Sequence, residues 1–254
     1  MENSFVFFVA IIGLVFGSFI NCFVWRLYKK TSLMGRSACP RCFKQIAWYD
    51  NIPLLSFIIL RARCRHCQKK ISWQYPLVEF FTALLFILVF LKNHDSPQLL
   101  LLLLRDWLVI MTFIIIFIYD LRWQLVPMLV VWPMTIIVFI LNLFLGVPLL
   151  NLITFGALSV AFFWFIYAAT SGRGLGEGDI WLGLLIGILL PQMGLLILAL
   201  MLAYFIGAIV GVSLVLLKKK KMKSAIAFGP FLVLGATISL IYGEQIINWY
   251  LQLL

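Results

Sequence analysis

The chain has 254 residues, of which 64% are hydrophobic and only 11% are charged, and its mean hydropathy is +1.10. Soluble domains are about half apolar and about a quarter charged, so this composition excludes a soluble globule, a disordered chain and a secreted disulfide scaffold. The formal net charge of +11 indicates cytoplasmic loops and contact with anionic membrane lipid rather than with nucleic acid. The predicted fold is an all-α polytopic membrane protein.

The N-terminal segment 1–25 is predicted to contain the first transmembrane helix, over residues 5–25. Glu2 precedes this apolar run, and three bases follow it: Arg26, Lys29 and Lys30. A secretory signal peptide has the opposite order, with its bases before the apolar run. Because bases stay on the cytoplasmic side, the segment is predicted to be a retained anchor with its N-terminus outside.

The polar segment 26–76 is predicted to be a small cytoplasmic loop domain that binds structural zinc. It holds two Cys-x-x-Cys pairs, separated by 21 residues, which suits a four-thiolate site: Cys39, Cys42, Cys64 and Cys67. The flanks of the two pairs match at an offset of 25 residues, so Lys44, Ile46 and Trp48 correspond to Lys69, Ile71 and Trp73. Neither half has enough core to fold alone, and metal binding would supply the missing folding energy.

Three alternatives to zinc stay open for these cysteines. They are a redox-active dithiol, a basic knuckle that binds nucleic acid, and a pair of thiol turns without metal. The matched flanks favour a scaffold over a redox centre, and reducing conditions in the cytosol disfavour a disulfide framework.

Seven further spans are predicted after the loop, and together they form a membrane domain over 77–254: 77–92, 99–121, 127–145, 149–169, 179–192, 194–217 and 228–251. A spanning helix needs about 20 apolar residues, so 179–192 is short. About eight spans in all place 18 of the 20 Lys and Arg in loops predicted to be cytoplasmic, as the positive-inside rule requires. The Lys218–Lys221 run is then a topology anchor.

Two acids, Asp120 and Asp179, fall at the cytoplasmic border of predicted spans on different helices. Ionisable groups at this depth are costly and mark functional sites. Two neighbouring carboxylates share one proton, so one can activate a water molecule while the other donates a proton to the substrate. This chemistry hydrolyses a peptide without a covalent intermediate. Taken singly, each Asp also fits an ordinary carboxylate at a helix end.

Three further residues are expected to contact the substrate. Gly176 and Gly178, just before Asp179, leave room for an extended peptide backbone beside the acid. Glu79, which begins the second span, is expected either to position the Cys loop or to bind a positive group on the substrate.

The sequence lacks the residues for other common catalytic arrangements. The two histidines, His66 and His94, fall in a Cys-x-x-Cys turn and in an outside loop, so neither suits a Ser-His-Asp or Cys-His arrangement. The sequence contains no phosphate-binding loop and no His-Glu-x-x-His motif. Asp106 is expected to pair with its neighbour Arg105.

Short motifs occur in order along nearly the whole chain: Gly17-Ser18-Phe19-Ile20-Asn21 with Arg26, the two Cys pairs with Asn51-Ile52-Pro53-Leu54-Leu55-Ser56 between them, Ile71-Ser72-Trp73-Gln74-Tyr75-Pro76-Leu77-Val78-Glu79, Asp120 with Pro127, Gly176-Glu177-Gly178-Asp179, and Phe228-Gly229-Pro230-Phe231. This ordered set resembles the bacterial type IV prepilin peptidases. The resemblance implies an aspartic intramembrane peptidase, with Asp120 and Asp179 as its catalytic pair. It also implies membrane-inserted prepilins or pseudopilins as substrates.

The resemblance carries further expectations about location and a second activity. Family members lie in the bacterial inner (plasma) membrane and cut on the cytoplasmic side, after a glycine that ends a short basic leader. Many also N-methylate the new terminal residue with S-adenosylmethionine, and the zinc-type loop is tied to that bifunctional form. The sequence identifies no S-adenosylmethionine site, and it leaves the role in pili, type II secretion or competence open.

Two positions depart from the family pattern. Trp181 stands where Lys is frequent, and Met128 stands where Asp is frequent.

Two alternative functions remain: a presenilin-like protease, whose Pro-Ala-Leu motif is absent here, and a transporter or assembly scaffold whose membrane acids carry protons. The paired Cys loop argues against both.

Overall fold

The structure is a computed structural model that describes residues 2–32, 35–172, 174–217 and 227–253. Within these ranges the chain is helical, with two isolated β-bridges and no strand. The helices are α1 (Glu2–Lys29), α2 (Leu55–Ile59), α3 (Gln74–Asn93), α4 (Leu99–Trp123), α5 (Met128–Phe144), α6 (Leu149–Ala169), α7 (Glu177–Leu189), α8 (Met193–Leu216) and α9 (Gly229–Gln252), with a 3₁₀ turn at Trp48–Asn51. Arg173 and the Lys218–Lys221 run lie outside the described residues.

The eight predicted spans correspond to α1 and α3–α9, with boundaries that agree to within a few residues. Among the described helices, six are long and apolar enough to cross a membrane: α1, α3, α4, α6, α8 and α9. The other two are shorter, since α5 has 17 residues and α7 has 13. The all-α membrane fold is therefore confirmed, whereas the count of eight spans is approximate.

Packing divides the chain into two compact units, Met1–Asp95 and Ser96–Leu254. The first unit contains α1, the Cys loop and α3, and the second contains α4–α9. This division lies one helix later than the sequence-based boundary at 76/77, because α3 packs along α1. The two helices approach closely at Gly17, where an added Cβ would lie only 2.6 Å from the Glu79 Cα.

Helix α7 is held tightly against α6 in the second unit. A Cβ on Gly183 would collide with the ring of Phe163, and one on Gly187 would collide with the carbonyl oxygen of Phe155. Small residues four positions apart let two membrane helices approach closely, which increases their van der Waals contact. This close packing stabilises α7 although the helix is short, and α7 bears one of the two candidate acids.

A chain of buried polar groups connects α4, α5 and α7. The Arg105 guanidinium donates to Asp106 at 2.7 Å and to the Asn142 side-chain oxygen at 2.7 Å. The Asn142 amide in turn donates to the Ile188 carbonyl at 2.7 Å. Asp106 and Asn142 are fully buried. The expected Arg105–Asp106 pair is confirmed, and the network fixes the C-terminal end of α7.

Replacing Asn142 by Leu is expected to lower the free energy of unfolding by about 1–3 kcal/mol. Leucine keeps most of the volume but removes hydrogen-bond partners from Arg105 and from the Ile188 carbonyl in an apolar surrounding. Thermal unfolding in one detergent measures the effect. Thr154→Ala is the control, because its exposed hydroxyl bonds only within its own helix, to Leu150 and Asn151. Equal melting temperatures for the two variants would contradict the prediction.

Candidate active site and cysteine cluster

Three helix ends meet in the second unit and bring the two candidate acids together. Asp120 lies in the last turn of α4, Asp179 is the third residue of α7, and Gly229 is the first residue of α9. The Gly229 backbone lies against the Asp120 carboxylate, since a Cβ on Gly229 would lie 2.5 Å from one of its oxygens. Asp120 is also close enough to Asp179 for their charges to interact.

Both carboxylates are removed from solvent, since Asp120 is 4% exposed and Asp179 is 5% exposed. One oxygen of Asp179 accepts the N–H of Gly176 at 3.1 Å. Gly176 is the N-cap of α7, so this bond satisfies an amide that the helix leaves unpaired. The bond also fixes the carboxylate in one orientation, so the Asp179 side chain caps its own helix.

The connection between α4 and α5 explains why Gly178 is glycine. Gln124, the residue that caps the C-terminal end of α4, has a φ of 54° and donates its N–H to the Asp120 carbonyl at 2.8 Å. The chain then crosses α7, where a Cβ on Gly178 would lie 2.7 Å from the Cβ of Val126. The missing side chain therefore lets the α4–α5 connection close over the start of α7. Gly176 lies beside the acid, since its Cβ position is 3.5 Å from an Asp179 oxygen.

Aromatic residues lie on the helices near the acids, and one of them stands at a position that departs from the family pattern. Trp181 packs on Trp132 of α5 with ring centroids 4.6 Å apart, so the position where the family often has Lys carries an aromatic pair. Tyr204 of α8 interacts electrostatically with Asp179, and its ring lies 4.9 Å from that of Phe228.

Sequence reasoning gave no individual role to Gly229 or to Tyr204. For Gly229 a signal existed in the Phe-Gly-Pro sequence, because Pro230 marks the first turn of a helix. Nothing local in the sequence indicated that the first residue of this helix lies next to Asp120. Tyr204 lies within an apolar span, and only the packing of α8 places it near Asp179.

Glu79 belongs to the first unit, where it connects the Cys loop to the membrane helices. Its carboxylate is 7% exposed and accepts the Leu54 N–H at 2.8 Å. Leu54 has a φ of 59°, a conformation that needs support from its surroundings. This hydrogen bond matches the first of the two expectations for Glu79, that it positions the loop.

The four loop cysteines form one cluster, with all of their sulfur atoms within 4.8 Å of one another. Tetrahedral zinc with Zn–S bonds of about 2.3 Å places its sulfurs roughly 3.8 Å apart. The two halves repeat the same turn, since the Cys39 N–H donates to Lys44 at 3.0 Å and the Cys64 N–H donates to Lys69 at 2.9 Å. Donor type, number and spacing all fit a structural zinc ion.

Two thiols of the cluster are shifted in opposite directions. Backbone N–H groups of Cys67 and His66 point at the Cys64 sulfur and lower its pKa to about 7. At Cys42 a backbone hydrogen bond from Lys44 is outweighed by desolvation and by the three neighbouring thiols, which raise its pKa to about 11. Beside them, Arg65 forms an ion pair with Asp50 at 2.6 Å and holds the pKa of that carboxyl below its ordinary value. This pair links the second Cys turn to the segment between the two turns.

The double replacement of Cys39 and Cys64 by Ser is expected to eliminate bound zinc, from about one ion per chain to none. One thiolate is lost from each turn, so no complete shell remains. Elemental analysis of purified protein measures the ratio. Cys22→Ser, which changes a cysteine of α1 outside the cluster, is the control. Wild-type protein without stoichiometric zinc would contradict the metal assignment.

Comparisons with known proteins agree with the division into two units. Residues 11–93 match the family model of the bacterial peptidase A24 N-terminal domain, and residues 107–212 match that of the type IV leader peptidase family. Three curated relatives are each named prepilin leader peptidase/N-methyltransferase. The relative from Aeromonas salmonicida is 38% identical over 87% of this chain and 76% of its own length.

The relative from Pseudomonas aeruginosa is 32% identical, over 98% of this chain and 94% of its own length. That from Legionella pneumophila is 34% identical, over 88% and 78% respectively. No solved structure is a significant match. The two family matches together cover parts of both units, and their ranges contain the Cys loop and both acids.

Proposed function

This chain belongs to the type IV leader peptidase family, and we propose that it removes the leader from membrane-inserted prepilins or pseudopilins with Asp120 and Asp179 as its catalytic pair. The observation that carries the proposal is that these two carboxylates, in the last turn of α4 and the first turn of α7, are buried and close enough for their charges to interact. Family membership also removes the presenilin-like and transporter alternatives.

The two carboxylates divide the work of hydrolysis between them. The ionised member takes a proton from water, and the resulting hydroxide equivalent attacks the scissile carbonyl carbon. The protonated member gives its proton first to the carbonyl oxygen, and a proton then passes to the leaving amine as the C–N bond breaks. Burial excludes bulk water, so the shared proton stays between the two acids and the substrate.

Substrate contacts are proposed from the backbone next to Asp179. Gly176 lies beside the carboxylate and is proposed to present main chain to an extended peptide, whereas Val126 occupies the space beside Gly178. Glu79 is assigned a different role, because its carboxylate already accepts the Leu54 amide. We propose that Glu79 acts by holding the Cys loop.

The site is proposed to face the cytoplasm of a bacterial cell, in the inner membrane. In the eight-helix topology, 18 of the 20 Lys and Arg fall in cytoplasmic loops, and the ends of α4 and α7 that carry the acids lie on that same side. A basic leader that stays in the cytoplasm would reach the acids without crossing the bilayer.

N-methylation of the new terminus is proposed as a second activity, since the curated relatives carry it in their names. S-adenosylmethionine has ribose hydroxyls, which suit a carboxylate partner, and a positive sulfonium. Two open cavities of about 420 and 310 Å³ have no acid in their linings, so they do not fit this cofactor. No step of methyl transfer is assigned to particular residues.

The test is cleavage of a membrane-inserted prepilin by the purified chain, with the products analysed by mass. We expect a free leader and a mature pilin, with a further mass increase of one methyl group when S-adenosylmethionine is supplied. A matched prepilin that stays intact in the same bilayer would contradict the peptidase function. Cleavage without added mass would contradict only the second activity.

A further inference from the structure

A groove of about 420 Å³ lies in the first unit, between α2 and the start of α3. Its wall is apolar apart from one cationic side chain, Arg61. The rings of Phe57 and Trp73 lie 5.0 Å apart and form part of the wall, which continues to Ile58 and Pro76. The peptidase mechanism uses none of these residues.

The groove is fixed at the level where α3 enters the membrane. Pro76 lies in the first turn of α3, which is long and apolar enough to cross a bilayer. Leu54, another lining residue, is hydrogen-bonded to Glu79, one turn further along α3. This level of a spanning helix is the interface, where lipid headgroups meet acyl chains and where Trp side chains are enriched.

Large apolar side chains around the groove are exposed rather than packed. Ile58 is 71% exposed, Ile59 is 62% exposed, and Trp73 is 69% exposed. Such residues are stabilised when they enter the boundary between headgroups and acyl chains. The exposed bases Arg61 and Arg63 follow α2 directly, and the groove lining contains no acid. The patch thus combines an apolar surface with positive charge at the membrane interface.

We propose that this groove binds an anionic phospholipid of the surrounding bilayer, with the acyl chain against Phe57, Ile58 and Trp73 and the headgroup phosphate at Arg61. The lipid attaches the Cys loop to the membrane surface through a contact that neither zinc nor peptidase chemistry provides. S-adenosylmethionine is a poor occupant, because Arg61 repels its sulfonium and no carboxylate is present for its ribose. The proposal does not depend on the peptidase assignment.

The test places the photoreactive residue p-benzoylphenylalanine at Ile58 in the full-length, zinc-loaded chain. The protein is reconstituted in nanodiscs of phosphatidylcholine, with or without phosphatidylglycerol, and irradiated, and its adducts are identified by mass. We expect phosphatidylglycerol adducts in excess of its share of the bilayer. The same probe at Phe43, which is 74% exposed in the first Cys turn, should give no such excess.

Arg61→Gln should lower the preference for phosphatidylglycerol about five-fold, as expected for one base near an anionic surface. The internal repeat supplies a matched control, because Arg36 lies 25 residues earlier at the equivalent position and is also exposed. Arg36→Gln should leave the preference unchanged, and zinc content verifies that both variants fold.

Three results would overturn the proposal. They are adducts that follow bilayer composition in every variant, adducts to an added prepilin in place of lipid, and loss of the lipid adduct on addition of S-adenosylmethionine. The second result would assign the groove to the substrate, and the third would assign it to the methyl donor.

Discussion

Asn at position 120 or at position 179 is expected to lower leader cleavage by about 10⁴-fold, the upper end of the range for general acid–base catalysis. The amide has nearly the same shape as the carboxylate, but it neither accepts a proton from water nor shares one with its partner. Both single variants should lose activity to a similar extent, because each removes one half of the same unit. Cleavage of a membrane-inserted prepilin, followed by mass analysis, measures the loss.

The two Asn variants must remain inserted and folded for this result to be informative. Zinc content reports on the first unit, and thermal unfolding reports on the whole chain. Asp95→Asn is the matched control, because Asp95 is exposed and pairs with His94 in the first unit. Substantial cleavage by either Asp120→Asn or Asp179→Asn would reject the catalytic pair while leaving family membership intact.

Replacing Gly229 by Ala is expected to lower kcat about 100-fold, as for other displacements of about 1 Å in a catalytic group. A Cβ at this position would lie 2.5 Å from an oxygen of Asp120. Because the α9 backbone is fixed next to Pro230, the Asp120 carboxylate has to move away from Gly229. Because the proposed substrate contact is at Gly176 and not at Gly229, KM should change much less than kcat.

Gly194→Ala is the control for a glycine in the first turns of a membrane helix. There the added Cβ would meet only the flexible tip of Ile247, at 3.1 Å. This variant should retain full activity and normal stability. If Gly229→Ala cleaves at the wild-type rate, or if it loses stability and activity in proportion, then Gly229 does not position Asp120.

Hydropathy predicted the helices well because immersion in lipid imposes a local requirement. Each span must satisfy its own backbone hydrogen bonds within one apolar run, so the run itself marks the helix. The Cys cluster was predictable for a similar reason. Its two turns are each a few residues long, and the repeat at an offset of 25 residues appears again in the matching hydrogen bonds of Cys39 and Cys64.

The sequence therefore determined the all-helical membrane fold and the zinc-type loop, and it predicted two functional acids near one membrane face. Only the tertiary structure brought Asp120 and Asp179 close enough for their charges to interact, placed Gly229 against Asp120, and filled the space beside Gly178 with Val126. These contacts join residues from α4, α7 and α9. Pairings between distant segments depend on how helices pack, and neither hydropathy nor motif spacing encodes that packing locally.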